Sequence, residues 1–154
     1  MRQTTVETTL GAFRITEDAG VIVSLTWGAG DHDQSALLQD AARQLKAYAE
    51  GRQRDFDLPL APAGTAFQKS VWDEMCRIPY GKTRSYGELA KNLGSMPQAI
   101  GGACGANPIP IFIPCHRVVA GGGALGGFSG GDGATSKRAL LVHEGALQHQ
   151  PSLF

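Results

Sequence analysis

The 154-residue sequence contains few cysteines and little charge. Its three cysteines, Cys76, Cys104 and Cys115, are an odd number without CxxC spacing. This pattern argues against a disulfide framework and against a cysteine-based zinc site, so we expect reduced thiols, no metal and no cofactor. Charged residues make up 18% of the chain and apolar residues 42%, a balance that excludes disorder and fibrous repeats. The length fits one compact unit or two small lobes.

Long hydrophobic runs are also absent. The most apolar stretch, around 109–113, is far shorter than the roughly 20 residues that span a bilayer. The first ten residues lack a basic segment followed by an apolar one, as a secretory leader would have. We therefore expect no membrane partner and a cytoplasmic protein.

The formal net charge is zero, but the charge is unevenly distributed. Residues 1–66 carry 6 Lys+Arg against 9 Asp+Glu, whereas residues 67–154 carry 8 against 5. A basic second half favours a surface that faces a polyanion. An imbalance of three charges also arises by chance, so it does not identify that partner.

The first half of the chain has the pattern of short strands followed by one helix. Stretches at 4–9, 12–16 and 21–27 are rich in β-branched residues, and 18–20 has the composition of a turn. Asp33 or Ser35 can cap a helix whose apolar positions recur at helical spacing up to Gly51. These features predict a small antiparallel sheet with one helix against it.

The second half is predicted to be helical. A Pro/Gly-punctuated connector at 58–64 separates the two halves, and we place the lobes at 1–62 and 63–154. Thr65 can cap a helix, and two shorter helices are expected at about 85–93 and 97–106, with Gly94 between them. Their spacing fits either a helix-turn-helix or a plain helical hairpin. The first helix should bury one face, formed by Phe67, Val71, Trp72 and Met75.

The segment 107–119, NPIPIFIPCHRVV, carries the most distinctive chemistry. Prolines at 108, 110 and 114 exclude both a helix and a central strand. The segment presents Cys115 next to His116 and Arg117, and basic neighbours can lower a thiol pKa enough to give a nucleophile. In an extended chain adjacent side chains point to opposite faces, so contact between His116 and the thiol needs a bridging water or a turn. Cys76 and Cys104 are expected to be inert and buried.

The remaining segment is glycine-rich and then helical. Residues 120–133 contain eight glycines but no phosphate-binding fingerprint, and we expect a mobile loop that forms one wall of a pocket. A last helix at about 135–143 precedes Glu144.

These motifs together resemble the O6-alkylguanine-DNA alkyltransferases, also called methylated-DNA–protein-cysteine methyltransferases. The resemblance rests on IPCHRVV at 113–119, the preceding GANPIPIFIP, the following GFSGG and LLVHEG at 140–145, and it covers about residues 66–147. It implies an α/β (α+β) fold: an N-terminal RNase H-like antiparallel sheet plus helix, then a winged helix-turn-helix-like domain with the active-site cysteine.

The resemblance also implies residue roles. Cys115 would accept the alkyl group, and His116, Glu144 and a water would relay its proton. Asn107 would tie the cysteine turn to the end of the recognition helix, and Tyr86 would donate a proton toward the flipped guanine. The residues that would line the base pocket are Val118, Phe128, Ser129 and Lys137.

The DNA contacts that the resemblance implies lie on the second helix of the pair and on exposed cations. Gln98 replaces the family's intercalating arginine, and Ala99 and Gly102 follow it on the same helix. The candidates for phosphate contacts are Lys82, Arg84, Lys91, Arg117, Lys137 and Arg138.

The implied function is DNA repair in one turnover per molecule. The protein would flip O6-alkylguanine out of double-stranded DNA from the minor groove, as a monomer, and move the alkyl group irreversibly to Cys115. One alternative is a non-enzymatic lesion-binding protein that flags damage for another pathway. A more distant one is a Cys-His hydrolase or acyltransferase without a DNA role.

Overall fold

The structure is a computed structural model that describes residues 1–121 and 133–147. Its elements in chain order are β1 (Arg2–Thr8), β2 (Gly11–Asp18), β3 (Val21–Trp27), α1 (Ala36–Ala49), α2 (Ala66–Cys76), β4 (Arg84–Ser85), α3 (Tyr86–Leu93), α4 (Pro97–Gly105), a 3-10 turn (Cys115–Arg117), β5 (Val118–Val119) and α5 (Ala134–His143). In the ranges described, none of the helices combines the length and apolar character that a membrane span requires.

The N-terminal lobe is an antiparallel sheet of order β1-β2-β3 with α1 packed against it. The predicted turn between β2 and β3 is confirmed: Asp18 pairs with Val21, and Ala19 and Gly20 between them both have positive φ. Two positive φ values in a two-residue loop define a type I′ hairpin turn, whose twist matches that of the flanking strands.

Helix α1 begins and ends where the sequence predicts. Of the two candidate caps, Ser35 is the N-cap, and its hydroxyl accepts a hydrogen bond from the Leu38 amide at 3.0 Å. Gly51, with φ +76°, follows the helix end in the left-handed conformation that glycine allows. The apolar stripe of α1 is buried against the sheet, as expected from its spacing: Leu38, Ala41, Leu45, Tyr48 and Ala49.

The C-terminal lobe is built on helices α2, α3 and α4. Thr65 and Gln68 form a capping box at the start of α2, as do Ser85 and Glu88 at the start of α3. Gly94 closes α3 with φ +64°, and α4 follows and packs on both α3 and α2. The pair α3 and α4 has the helix-turn-helix form that the sequence left open against a plain hairpin.

Two details of α2 correct the sequence analysis. Phe67 was expected on the buried face, but it is 36% exposed because the first turn of α2 lies outside the core. Cys76 was expected to be buried, but it is exposed at the last position of the helix, one residue past the buried Met75. Val71, Trp72 and Met75 are buried as predicted.

The two lobes are joined along β3. The connector covers the free edge of this strand: the Ile22 amide donates to the Pro59 carbonyl at 2.8 Å, and the Ala61 amide donates to the Ile22 carbonyl at 2.9 Å. Further along, the Leu25 amide donates to the Pro108 carbonyl at 3.0 Å. The edge strand is thereby protected from pairing with other chains, and the segment that leads to Cys115 is fixed to the N-terminal sheet.

The hairpin turn between β2 and β3 gives a stability prediction. Ala19 carries a side chain at φ +50°, where an L-residue with a Cβ is disfavoured, and Gly20 occupies the other left-handed position at φ +84°. Ala19→Gly should therefore raise the free energy of unfolding, by about 0.5–1 kcal/mol, and Gly20→Ala should lower it by about 1 kcal/mol. Urea denaturation of both variants measures this. A loss of stability in Ala19→Gly would contradict the turn assignment.

Candidate functional site

A strained, buried loop delivers Cys115 to the site. Between α4 and the 3-10 turn, the Ile113 amide donates to the Ile109 carbonyl at 2.9 Å and closes a tight turn. At its centre Ile111 has φ +75°, a conformation that β-branched residues almost never adopt, yet its side chain is 1% exposed. Burial in the core holds this strained backbone in place, as is common next to reactive groups.

Asn107 links this loop to the end of α4. Its side-chain amide donates to the Ile113 carbonyl at 3.0 Å, and its amide oxygen accepts from the Ile109 amide, also at 3.0 Å. These two hydrogen bonds fix the chain on both sides of the tight turn. They place Cys115 at a defined position relative to α4.

The Cys115 thiol is buried and is expected to be protonated at neutral pH. Burial raises the pKa of this thiol to about 11, although a hydrogen bond with Asn107 and the charge of Lys137 act in the opposite direction. The expectation that basic sequence neighbours lower this pKa in the resting protein is therefore wrong. Because the thiolate is the nucleophile, a base has to remove the proton before any transfer.

His116 follows Cys115 in the same turn and is the candidate for that base. Residues 115–117 form a 3-10 turn, not an extended strand, so the turn that the sequence analysis required is present. His116 is fully buried, and burial lowers its pKa, which favours the neutral imidazole. Its Nε2 lies 2.8 Å from Oε2 of Glu144, and Nδ1 is buried without a hydrogen-bond partner among the described residues.

Glu144 fixes the tautomer of His116. Burial alone would raise the pKa of this carboxyl, but hydrogen bonds from His116 and Arg117 hold it well below its usual value. Since a carboxylate only accepts hydrogen bonds, Nε2 of His116 carries the proton and Nδ1 is a free acceptor. An unpaired buried acceptor is costly unless a water or a reacting group uses it.

Arg117 supports the carboxylate and does not face solvent. Its Nε and Nη2 donate to Oε1 and Oε2 of Glu144 at 2.8 and 3.0 Å, and its Nη1 donates to the Ile78 carbonyl at 2.7 Å. The side chain is 5% exposed. Arg117 was expected to contact a DNA phosphate. This expectation is wrong in this structure, because all three guanidinium nitrogens donate hydrogen bonds inside the protein.

Lys137 and Tyr86 form a second polar pair near the thiol. Lys137 Nζ donates to the Tyr86 hydroxyl at 3.2 Å and lies 5.4 Å from the centre of the ring. Lys137 is fully buried, and burial lowers its pKa. Its expected contact with a DNA phosphate is therefore wrong in this structure, because the side chain is fully buried and its ammonium group donates to Tyr86.

The other predicted pocket residues are only partly described. Val118 is buried in β5, which pairs in parallel with β4 through Arg84 and Val118. Phe128 and Ser129 lie outside the described residues. In the part of the chain that the structure describes, no three His, Cys, Asp or Glu side chains are placed to hold a metal ion.

Unlike Arg117 and Lys137, the predicted DNA contacts on α4 lie on the surface. Gln98, Ala99 and Gly102 are exposed on α4, and a Cβ added at Gly102 would meet no atom within 4 Å. The candidate cations that are exposed are Lys82, Arg84 and Lys91, whereas Arg138 is partly buried. At these positions the helix therefore presents no bulky side chain. The exposed cations lie on α3 (Lys91), on β4 (Arg84) and in the turn before β4 (Lys82).

The sequence analysis missed one site residue, Tyr48. Its hydroxyl donates to Oε2 of Glu144 at 2.6 Å across 96 residues of sequence. The apolar stripe of α1 predicts only core packing for this position. The signal in the sequence is a tyrosine within an apolar stripe. A buried tyrosine hydroxyl usually finds a hydrogen-bond partner, so such a tyrosine indicates a polar contact inside the core.

Comparisons with known proteins place the whole chain in one family. A family model described as "6-O-methylguanine DNA methyltransferase, DNA binding domain" matches residues 66–146, and one described as "6-O-methylguanine DNA methyltransferase, ribonuclease-like domain" matches residues 1–62. A methylated-DNA--protein-cysteine methyltransferase from Methanosarcina acetivorans is 47% identical over 116 residues, 74% of this chain and 73% of the relative. The constitutive enzyme of that name from Bacillus subtilis is 39% identical over 154 residues, 91% of this chain and 92% of the relative.

Solved structures agree with these matches. The crystal structure of Mycobacterium tuberculosis O6-methylguanine methyltransferase superposes with a TM-score of 0.83 at 35% identity, covering 98% of this chain and 95% of the other. The structure of the M. tuberculosis protein in complex with DNA gives a TM-score of 0.82 at 36% identity, covering 94% and 93%.

Fold and site together define a DNA-binding protein with a buried cysteine beside a histidine–glutamate pair. The chain belongs to the 6-O-methylguanine DNA methyltransferase family. It is a DNA repair protein that transfers an alkyl group to a cysteine, a methylated-DNA–protein-cysteine methyltransferase. The non-enzymatic alternative is not favoured, because the relatives carry the name of the transferase.

The position of Arg117 gives a prediction that separates a structural role from a DNA contact. Arg117→Gln should lower the free energy of unfolding by about 3–5 kcal/mol, because it removes the compensating cation from a buried carboxylate. The exposed Arg84→Gln is the matched control and should change stability by less than about 0.5 kcal/mol. Thermal and urea unfolding of the two variants measure the difference.

The same pair predicts a pH dependence. The folded-state pKa of Glu144 lies below its unfolded value, so its contribution to stability is full above the unfolded pKa and is lost as the pH falls below it. The acid limb of the stability curve should be shallower in Arg117→Gln than in the wild type. Equal stability of Arg117→Gln and wild type at neutral pH would show that the buried pair is not formed.

Proposed function

We propose that this chain repairs O6-alkylguanine in double-stranded DNA by moving the alkyl group onto Sγ of Cys115, once per molecule, as a monomer. The observation that carries the proposal is the buried thiol in one 3-10 turn with His116, whose proton is already committed to Glu144. The carbon–sulfur bond of the thioether that forms is stable to water, so the transfer is irreversible. All three cysteines are free thiols, which fits action in the reducing cytoplasm.

The first chemical step is deprotonation of Cys115. With its proton on Nε2, His116 presents Nδ1 as an acceptor, and a water between this atom and the thiol would carry the proton to the imidazole. The imidazolium that forms is stabilised by the Glu144 carboxylate at 2.8 Å. Because its pKa is raised, the thiol stays protonated until His116 takes up the proton. The sulfur then attacks the alkyl carbon of the bound substrate.

The second step is displacement at the alkyl carbon. The sulfur–carbon bond forms as the carbon–oxygen bond to guanine breaks, and the electron pair of that bond goes to the base. Tyr86 donates its hydroxyl proton to the leaving guanine. The Lys137 ammonium, 3.2 Å from this hydroxyl, stabilises the phenolate and returns a proton to it.

Access to a base inside a duplex requires that the base be flipped out. The exposed face of α4 has only small or neutral side chains at Gln98, Ala99 and Gly102, and nothing in the fold itself requires glycine at 102. We assign this face to the minor groove, where a helix without bulky side chains approaches closely. The exposed cations Lys82, Arg84 and Lys91 would contact phosphates and position the duplex.

The acceptor assignment is tested by changing each thiol in turn. Cys115→Ser should abolish methyl transfer from a duplex with a labelled O6-methylguanine, because a hydroxyl is far less acidic than a thiol. DNA binding, measured by fluorescence anisotropy, should stay within about twofold of wild type, because the phosphate contacts are unchanged. Cys76→Ser is the matched control on an exposed thiol and should transfer normally. Transfer by Cys115→Ser at more than a trace would overturn the proposal.

The neutral residue at 98 gives a further prediction. Gln98 is exposed on α4. It lacks the planar, charged guanidinium with which an arginine could stack on the bases next to the flipped nucleotide. Gln98→Arg should raise the single-turnover rate on duplex DNA more than on a single-stranded oligonucleotide, where no gap in a helix needs filling. It should also steepen the salt dependence of binding by about one unit if the new cation contacts a phosphate.

Ala99→Arg is the matched control, since it adds the same charge one position along the exposed face. A rate increase that is equal on duplex and single strand, or equal in both variants, would show that residue 98 has no role in holding the base outside the helix.

A further inference from the structure

Tyr48 connects the N-terminal lobe to the centre of the proposed proton relay. It lies in the last turn of α1, is fully buried, and its hydroxyl is 2.6 Å from Oε2 of Glu144. Its backbone carbonyl accepts a hydrogen bond from Nε2 of His143 at 2.7 Å, next to Glu144 in sequence. The Glu144 carboxylate, at the C-cap of α5, is therefore also held by a residue of the other lobe.

The two oxygens of Glu144 are unequally engaged. Among the described residues, Oε1 accepts one hydrogen bond, from Nε of Arg117, whereas Oε2 accepts three, from Tyr48, His116 and Nη2 of Arg117. A carboxylate oxygen offers about two lone-pair sites, so the three donors on Oε2 compete. The shortest of the three contacts is that of Tyr48.

Arg117 alone can orient the carboxylate, because it binds both oxygens in a fork. The phenol of Tyr48 is therefore not needed to aim Glu144 at His116. Its hydroxyl instead draws electron density from the oxygen on which His116 depends, and this weakens the attraction of the carboxylate for the imidazole proton.

We propose that Tyr48 is a positioning residue of the relay that shares Oε2 of Glu144 with His116 and limits how strongly His116 takes up the thiol proton. The inference rests on the relay proposed above. It predicts that removal of the hydroxyl strengthens the base, which is opposite to the effect of removing the carboxylate.

Other titratable groups around the relay remain the same when Tyr48 is changed. They are Tyr80 and His143 against the Tyr48 ring, Arg117 on Glu144, and Lys137 and Cys115 on the thiol side. Tyr80 provides a matched control. Its ring packs edge-on against that of Tyr48, and its hydroxyl lies 3.4 Å from the His143 carbonyl. The Tyr80 hydroxyl thus donates to a backbone carbonyl and not to the Glu144 carboxylate.

The test uses two measurements as a function of pH. The first is the rate of single-turnover methyl transfer from duplex DNA. The second is the thiolate absorbance of Cys115 in the absence of DNA, obtained by subtracting the absorbance of Cys115→Ser. Tyr48→Phe should move the rising limb of the rate and the thiolate titration to lower pH, by about half a unit to one unit. Tyr80→Phe should leave both unchanged. Glu144→Gln should move both to higher pH, because the imidazolium loses its counter-charge.

A graded variant covers the case in which Tyr48→Phe folds poorly. Replacing Tyr48 with 3,5-difluorotyrosine keeps the ring and makes the hydroxyl a stronger donor, so both curves should move to higher pH. Thermal unfolding shows which variants are folded. Suppose that Glu144→Gln shifts the curves as expected, but the two Tyr48 variants shift them not at all or in the directions opposite to those given above. The inference about Tyr48 is then overturned, while the relay stands. If Glu144→Gln also has no effect, the relay itself is wrong and Tyr48 has nothing to act on.

Discussion

The buried carboxylate of Glu144 is the interaction on which the site depends. An ionised group taken out of water costs several kcal/mol unless it is paired and hydrogen-bonded, and here four hydrogen bonds from three side chains compensate. These side chains come from α1 and from the 3-10 turn. Stabilising one charge therefore requires both lobes to be docked and the cysteine turn to be formed.

This constraint explains the chemistry of the resting protein. Holding Glu144 as a carboxylate fixes the proton of His116 on Nε2 and leaves Nδ1 as an acceptor. In the proposed mechanism, this nitrogen takes up the thiol proton. The thiol itself is kept protonated by burial. A protein that reacts once gains from this arrangement, because a permanent thiolate would be open to oxidation and to other electrophiles before it met damaged DNA.

Local patterns were enough to predict most of the fold. The caps at Ser35 and Thr65 and the left-handed glycine at 94 involve contacts within a few residues, so the sequence contains their signal directly. The predicted site residues around Cys115 came from the resemblance of the motifs to the alkyltransferase family. The errors concern where a side chain points in three dimensions: Arg117 was expected at a phosphate but turns inward, because an uncompensated Glu144 cannot be buried.

Tyr48 shows what the sequence could not reveal. Its contact with Glu144 spans 96 residues, and its position in an apolar helical stripe has the same pattern as ordinary core packing. Long-range polar contacts of this kind depend on how the lobes dock, and no local periodicity encodes that. The docking is in turn set by backbone pairing along β3, where Ile22 and Leu25 bond to the connector and to Pro108.

A single buried thiol, Cys115, is proposed to receive the alkyl group. Intact-mass spectrometry with peptide mapping tests this directly, after the protein is mixed with an excess of duplex DNA that carries one O6-methylguanine. We expect a mass gain of one methyl group per chain, found only on the peptide that contains Cys115, with no release of methanol or return to the unmodified mass over time. Methylation of Cys76 or Cys104 in place of Cys115, or repeated turnover with an unmodified protein at the end, would contradict it.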